Sequence, residues 1–237
     1  MSAAGGASAG DSRTEFRYPL LALVVATGVA GLMDAVAVTR YGVFVANQSG
    51  NLVHVGMGLA GRDPLWFASA CSIGAFGFGA AIAFGVRRAC GPGRPDPAVA
   101  GFCLALAALL LWAVADAALD LGAPGLDRRA VLAAAGAFFM GCLGGLFART
   151  AGIATTITYQ SGTVMKTGTR VVAWITGSGA ARRKASQGVM LGLLGIGGYV
   201  SGSFFGALTA SRPMLTFVLA AVVLVVLMLT LRSLRRR

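Results

Sequence analysis

Val43-Phe44-Val45-Ala46-Asn47-Gln48-Ser49-Gly50-Asn51 opens on an apolar run, turns polar at Asn47, and gives way to apolar residues again up to position 60. A second stretch repeats this pattern. Thr155-Thr156-Ile157-Thr158-Tyr159 leads into Gln160-Ser161-Gly162-Thr163 before the apolar pattern resumes. β-Branched and aromatic residues favour an extended start. A Ser-Gly pair ahead of a helix-compatible run favours a helix N-terminus just past the polar residues. Each stretch therefore reads as a broken segment, a short strand followed by a half-helix. With a shift of 112 positions, Gln48-Ser49-Gly50 falls on Gln160-Ser161-Gly162, Gly56 on Gly168 and His54 on Lys166.

The rest of the chain identifies the solvent. Of 237 residues, 57% are hydrophobic and 12% charged, with mean hydropathy +0.78. A soluble domain carries roughly 25% charged residues, so water does not surround most of this chain. A helix needs roughly 20 apolar residues to cross the hydrocarbon. Eight apolar segments can be drawn, at 20–39, 41–60, 65–86, 98–118, 130–148, 154–176, 187–208 and 214–231. The expected fold is an all-α polytopic membrane protein with two structural repeats, each containing one broken segment. The expected organisation is a disordered cytoplasmic tail (1–17), a first repeat (18–120), an acidic linker (121–129), a second repeat (130–232) and a basic cytoplasmic tail (233–237). Residues 177–186 read as a small, basic loop. Gly198, Gly202 and Gly206, like Gly188 and Gly192, recur every fourth residue, a spacing that lets helix backbones approach closely in lipid.

The net charge is +12, but the basic residues sit in the gaps between apolar runs rather than on one face. That excludes a nucleic-acid surface and matches the positive-inside rule. If all eight segments cross, the N-terminal side holds 12 basic residues against 6; if the broken segments are re-entrant, 13 against 5. Either count places a multi-pass protein in the cell inner (plasma) membrane with both termini cytoplasmic. Three crossings per half would invert the second repeat relative to the first, a recurrent transporter plan. Cys71, Cys90, Cys103 and Cys142 are far apart and the chain has one histidine, so neither a metal site nor a disulfide framework is expected. No cofactor is expected, and no nucleophile–base constellation points to an enzyme.

Irregular backbone in a membrane must be buried in protein or line a cavity, and a half-helix N-terminus offers free N–H groups to an anion or carboxylate. Asn47, Gln48, Ser49, Gly50, Asn51, Gln160, Ser161, Gly162, Thr163 and Lys166 are the candidate substrate-binding residues. The bland alternative is that they only cap the breaks. Asp34, the one acid well inside an early apolar run, and His54 are candidates for coupling or gating. Asp34 could pair with Lys166, His54 or Arg40.

The sequence resembles the YoaK family of bacterial membrane proteins, defined by a domain of unknown function. The resemblance covers about 18–232 and rests on Gly31-Leu32-Met33-Asp34-Ala35, on Phe44 to Asn51, and on Thr155-Thr156 with Gln160-Ser161-Gly162-Thr163. The family usually has Thr-Gly-Asn and Thr-Gly-Thr where this chain has Ser49-Gly50-Asn51 and Ser161-Gly162-Thr163. Its Gln-Asn-Ala in the first helix of the second half is replaced by Gly145-Leu146-Phe147-Ala148. The resemblance implies no substrate. The strand-then-half-helix pattern is also similar in architecture to that of sulfate and uracil permeases. The functional expectation is a transporter or channel-like permease for a small anion or polar metabolite, with the lipid bilayer around it and room for a homodimer. The alternative is a non-transporting scaffold or accessory protein.

Overall fold

The computed structural model describes residues 18–90, 96–120, 127–147, 149–150, 153–154 and 160–233. The tail expected at 1–17, all but Ser233 of the tail expected at 233–237, linker residues 121–126 and Thr155 to Tyr159 lie outside the described residues; Ser233 is the last residue of α8.

The described residues are almost entirely helical: α1 (Pro19–Tyr41), α2 (Gln48–Leu59), α3 (Trp66–Ala89), α4 (Pro97–Asp120), α5 (Arg128–Leu146), α6 (Gln160–Thr176), α7 (Gly179–Thr209) and α8 (Pro213–Ser233). Two short strands, β1 (Arg149–Thr150) and β2 (Ile153–Ala154), pair antiparallel between α5 and α6. Local chemistry sets the boundaries. Proline opens α1, α4 and α8, where its missing N–H is of no consequence. Gly42 ends α1 with φ 76°, a left-handed C-cap that suits glycine. The Asp127 carboxylate accepts from the N–H groups of Arg129 and Ala130 and starts α5.

Six helices (α1, α3, α4, α5, α7 and α8) are long and apolar enough to cross a membrane, and the protein is a multi-pass membrane protein. Outward-facing Leu110, Leu111, Val200, Phe204, Val222 and Val226 form an apolar surface suited to lipid. The expected basic loop at 177–186 is instead the start of α7. Arg182, Arg183 and Lys184 occupy its first turns, because the alanines around them are strong helix formers. At 31 residues α7 is about 46 Å long, well beyond a hydrocarbon core of about 30 Å, so those turns project past it.

The most extensive pairings are α3 with α5 and α1 with α7. Both are close, parallel, glycine-based crossings. On one, Gly198, Gly202 and Gly206 face Val24, Gly28 and Leu32, and a Cβ on Gly31 would strike the Tyr199 carbonyl. On the other, a Cβ on Gly79 would strike the Phe138 carbonyl, one on Gly141 the Phe76 carbonyl, and one on Gly145 the Ala83 side chain. α2 lies antiparallel on α3, with Asn51 at Ser72 and Gly58 against Trp66. α6 lies antiparallel on α7 in the same way, with Thr167 at Gly192 and Arg170 at Gly188. α4 packs on α5, and α8 touches α1 and α4. Ala26, Ala30 and Met33 of α1 meet Phe139, Met140 and Leu143 of α5 in the core, with Trp112 of α4 and Phe217 and Leu224 of α8.

Candidate functional site

Between α1 and α2 the chain leaves the helix at Gly42 and does not resume it until Gln48. The expected strand does not form here: among the described residues the N–H groups of Phe44 to Asn47 donate to side chains rather than to another strand. Side chains satisfy the backbone instead. Asp34, two turns before the end of α1, is 2% exposed. Its Oδ1 accepts from the N–H groups of Val45 at 2.8 Å and Ala46 at 2.6 Å, and its Oδ2 accepts from Asn47 N–H at 2.9 Å. A fourth donor comes from α7: Tyr199 Oη donates to Oδ2 at 2.5 Å. A carboxylate has about four acceptor sites, and all four are in use. None of the partners proposed from the sequence is among them. Arg40 pairs with Asp116 at 2.7 Å instead.

Asn51, on the first turn of α2, is fully buried. Its amide donates to the Phe44 carbonyl at 2.7 Å, to Gln48 Oε1 at 2.7 Å and to Ser72 Oγ at 3.0 Å, and its Oδ1 accepts from Phe44 N–H at 3.1 Å. Ser72 Oγ donates to the Phe44 carbonyl at 2.8 Å, and Gln48 Nε2 to the Val45 carbonyl at 3.0 Å. Among the candidate residues of this break, Gln48 and Asn51 therefore face inward and hold its shape. Ser49 is exposed, with its hydroxyl donating to Asn47 Oδ1 at 2.7 Å.

A family model described as a protein of unknown function (DUF1275) matches residues 22–230. The chain belongs to the DUF1275 family. No match was found among curated proteins or solved structures.

In this DUF1275 protein the second break is described from Gln160 onward. Gln160 is the first residue of α6 as Gln48 is of α2, so the 112-residue shift holds for the helix starts. Gly162 is buried, Thr163 half-buried, and Ser161 and Lys166 exposed. α2 packs on α3 and α6 on α7, and the two half-helices share no extensive packing with each other. His54 Nδ1 lies 2.6 Å from Asp63 Oδ2 in the turn that leads into α3. Asp63 also accepts from Leu65 N–H within that turn, and these two hydrogen bonds hold its carboxyl below the usual carboxylate range, the one with His54 the more strongly.

At the α1–α2 end of the bundle a cavity of about 640 Å³ is lined by Arg40, Tyr41, Asp127, Arg128 and Arg129. Arg40 is paired with Asp116 and Asp127 stands among the other two arginines, so the mouth keeps a small positive excess. Among the described residues no cluster of three or more His, Cys, Asp or Glu side chains could hold a metal. Sequence reasoning missed Ser72, Asp116 and Tyr199. The one visible signal was a tyrosine directly after Gly197-Gly198, a large polar ring in a stripe otherwise made for close packing.

Proposed function

We propose that the chain is a membrane permease for a small anion or polar metabolite, built from two inverted repeats (18–120 and 130–232) and seated in the inner membrane with both termini cytoplasmic. The twinned packing supports the repeats. Residues of α1 and α5 correspond at an offset of 110, so that Gly31 matches Gly141; residues of α7 and α3 correspond at an offset of 123, so that Gly202 matches Gly79 and Tyr199 matches Phe76. α2 is 12 residues long, about 18 Å, and runs back to the end of the bundle where α3 begins. That leaves three crossings per half, and an odd number inverts the second half.

The single observation that carries the transport reading is Asp34. A buried acid in a membrane span is expensive and marks a pathway or relay more often than packing. Here it holds an interrupted segment at depth, where irregular backbone is kept only in protein or beside a cavity. The solute site is proposed at the half-helix N-termini, with Asn47 to Asn51, Gln160 to Thr163 and Lys166 around it, and Asp34 and His54 in coupling or gating. The basic mouth at Arg40, Arg128 and Arg129 favours the anion among the two solute classes.

One observation favours the second reading, a scaffold or accessory protein. The polar groups of Phe44 to Asn51 are largely satisfied within the fold, as a purely structural break would require. The two readings separate in reconstituted vesicles. Uptake of inorganic anions and small carboxylates, screened first by thermal shift, should exceed that of empty vesicles and fall severalfold in Asp34→Asn. Absence of binding and flux across the panel would sink the permease.

A further inference from the structure

The groove between α1, α7 and α8 is a cavity of about 720 Å³ whose lining includes Gly28, Val29, Leu193, Ser201, Gly202 and Val223. Its lining is apolar apart from Ser201 and Thr209, and it lies within three spans, open towards the bilayer. The other half carries two aromatic rings at the corresponding place, on α3 and α5. Under the offsets of the twinned crossings Gly28 corresponds to Phe138 and Ser201 to Phe78. The rings of Phe78 and Phe138 pack on each other there, with centroids 6.0 Å apart. The groove is therefore where the first pair of helices lacks two aromatic rings that the second pair has.

Close helix approach does not require Gly28. A Cβ there would sit 3.6 Å from the Gly198 carbonyl, an ordinary contact, whereas Gly31 and Gly202 leave no room for one. The groove has to be occupied. Water is a poor occupant of an apolar cavity. A helix with its side chains is about 10–12 Å across, so 720 Å³ would hold fewer than about two turns of one. What fits is a slender apolar chain from the surrounding bilayer.

We propose that this groove holds one phospholipid acyl chain, as a retained lipid at the positions where the other half carries the rings of Phe78 and Phe138. The proposal rests on the twinned packing and is independent of any transport role. Two measurements test it on the full chain. Native mass spectrometry after detergent delipidation should show a phospholipid retained on the wild type and lost at least tenfold from the Gly28→Phe/Ser201→Phe double variant, whose thermal stability should rise. Ser201→Phe alone, at an exposed position, should give partial loss and serves if the double variant fails to fold. A phosphatidylethanolamine bearing a diazirine on its acyl chain should label Leu193 and Val223 well above the lipid-exposed Leu110 and Leu111. Equal labelling at all four, no retained lipid, or a wild-type dimer that the double variant splits would each overturn it, the last by making a second copy the occupant.

Discussion

Tyr199 of α7 donates its hydroxyl hydrogen to Asp34 of α1 at 2.5 Å, across a helix crossing in which Gly31 lets the backbones touch. Asp34 is thus bonded both to the interrupted segment of its own half and to a helix of the other half. At the positions that the proposed repeat sets opposite them stand Gly144 and Phe76, which can make no such bond. The proposed halves therefore differ at this buried acid.

Tyr199→Phe removes the donor and keeps the ring. A hydrogen bond to a charged group contributes about 1.5–3 kcal/mol, so the variant should lose about that much stability in detergent, read by chemical or thermal unfolding. Asp34→Ala should lose more, because Val45, Ala46 and Asn47 N–H would all lack an acceptor. The gap it leaves is shaped for a small carboxylate. Formate should restore part of the stability of Asp34→Ala and none of that of Tyr199→Phe. No selective rescue would show that the four donors do not form an anion seat.

Asn51 satisfies both the N–H and the carbonyl of Phe44 while its amide also reaches Gln48 and Ser72. Replacing it with leucine would bury an apolar side chain and orphan the Phe44 N–H, at about 1–3 kcal/mol, while the Phe44 carbonyl would keep only Ser72. Asn51→Leu should therefore be far worse than Ser49→Ala, whose hydroxyl is exposed and bonds only to Asn47. Expression level and melting temperature compare the two directly. Equal tolerance would mean that the first break is not held by this network.

The twinned crossings predict matched sensitivities. Gly31→Ala and Gly141→Ala each drive a methyl group into a carbonyl of the partner helix, Tyr199 in one case and Phe76 in the other. Both helices must separate, and overpacking of this kind costs about 1–3 kcal/mol. Gly56 and Gly168, the pair found by the 112-residue shift, have nothing within 4 Å of a built Cβ. Alanine there should be neutral or stabilising by up to about 1 kcal/mol from helix propensity. Unfolding of the four single variants in one detergent decides the matter.

The apolar runs were legible by length, but eight can be drawn and length alone left six or eight crossings open; six of the described helices are long and apolar enough to span. The first break was legible too, since Asn47 to Asn51 cannot sit in lipid unsupported. Its support was not legible. Asp34 works through backbone N–H groups, which every sequence has, and through a tyrosine 165 positions away. The proposed duplication is visible in the sequence only at α2 and α6. The glycine contacts of the other helices match at offsets of 110 and 123 rather than 112, so one shift along the sequence passes over them. The basic run at 182–184 reads as a loop when charge is weighed over the helix propensity of its alanines, and in α7 the propensity prevails.

The contact between His54 and Asp63 joins α2 to the turn ahead of α3, outside the membrane-spanning helices. The carboxyl of Asp63 is held below its usual range, first by the hydrogen bond with His54 and then by Leu65 N–H. A depressed folded-state value means that the contact stabilises the fold above the ordinary aspartate value of about 3.9. That stabilisation is lost as the pH falls from there through the lowered folded-state value. Acidification within that window should therefore loosen the α2–α3 turn before the bundle itself melts. Hydrogen exchange at Arg62 to Leu65 should rise over that range in the wild type, and should already be fast and nearly independent of protonation in Asp63→Asn. His54→Leu removes the hydrogen bond to Asp63 and should shift the transition towards the ordinary aspartate value. An unchanged transition in that variant would mean that Leu65 N–H alone sets the Asp63 carboxyl, and that His54 does not tie the half-helix to the turn.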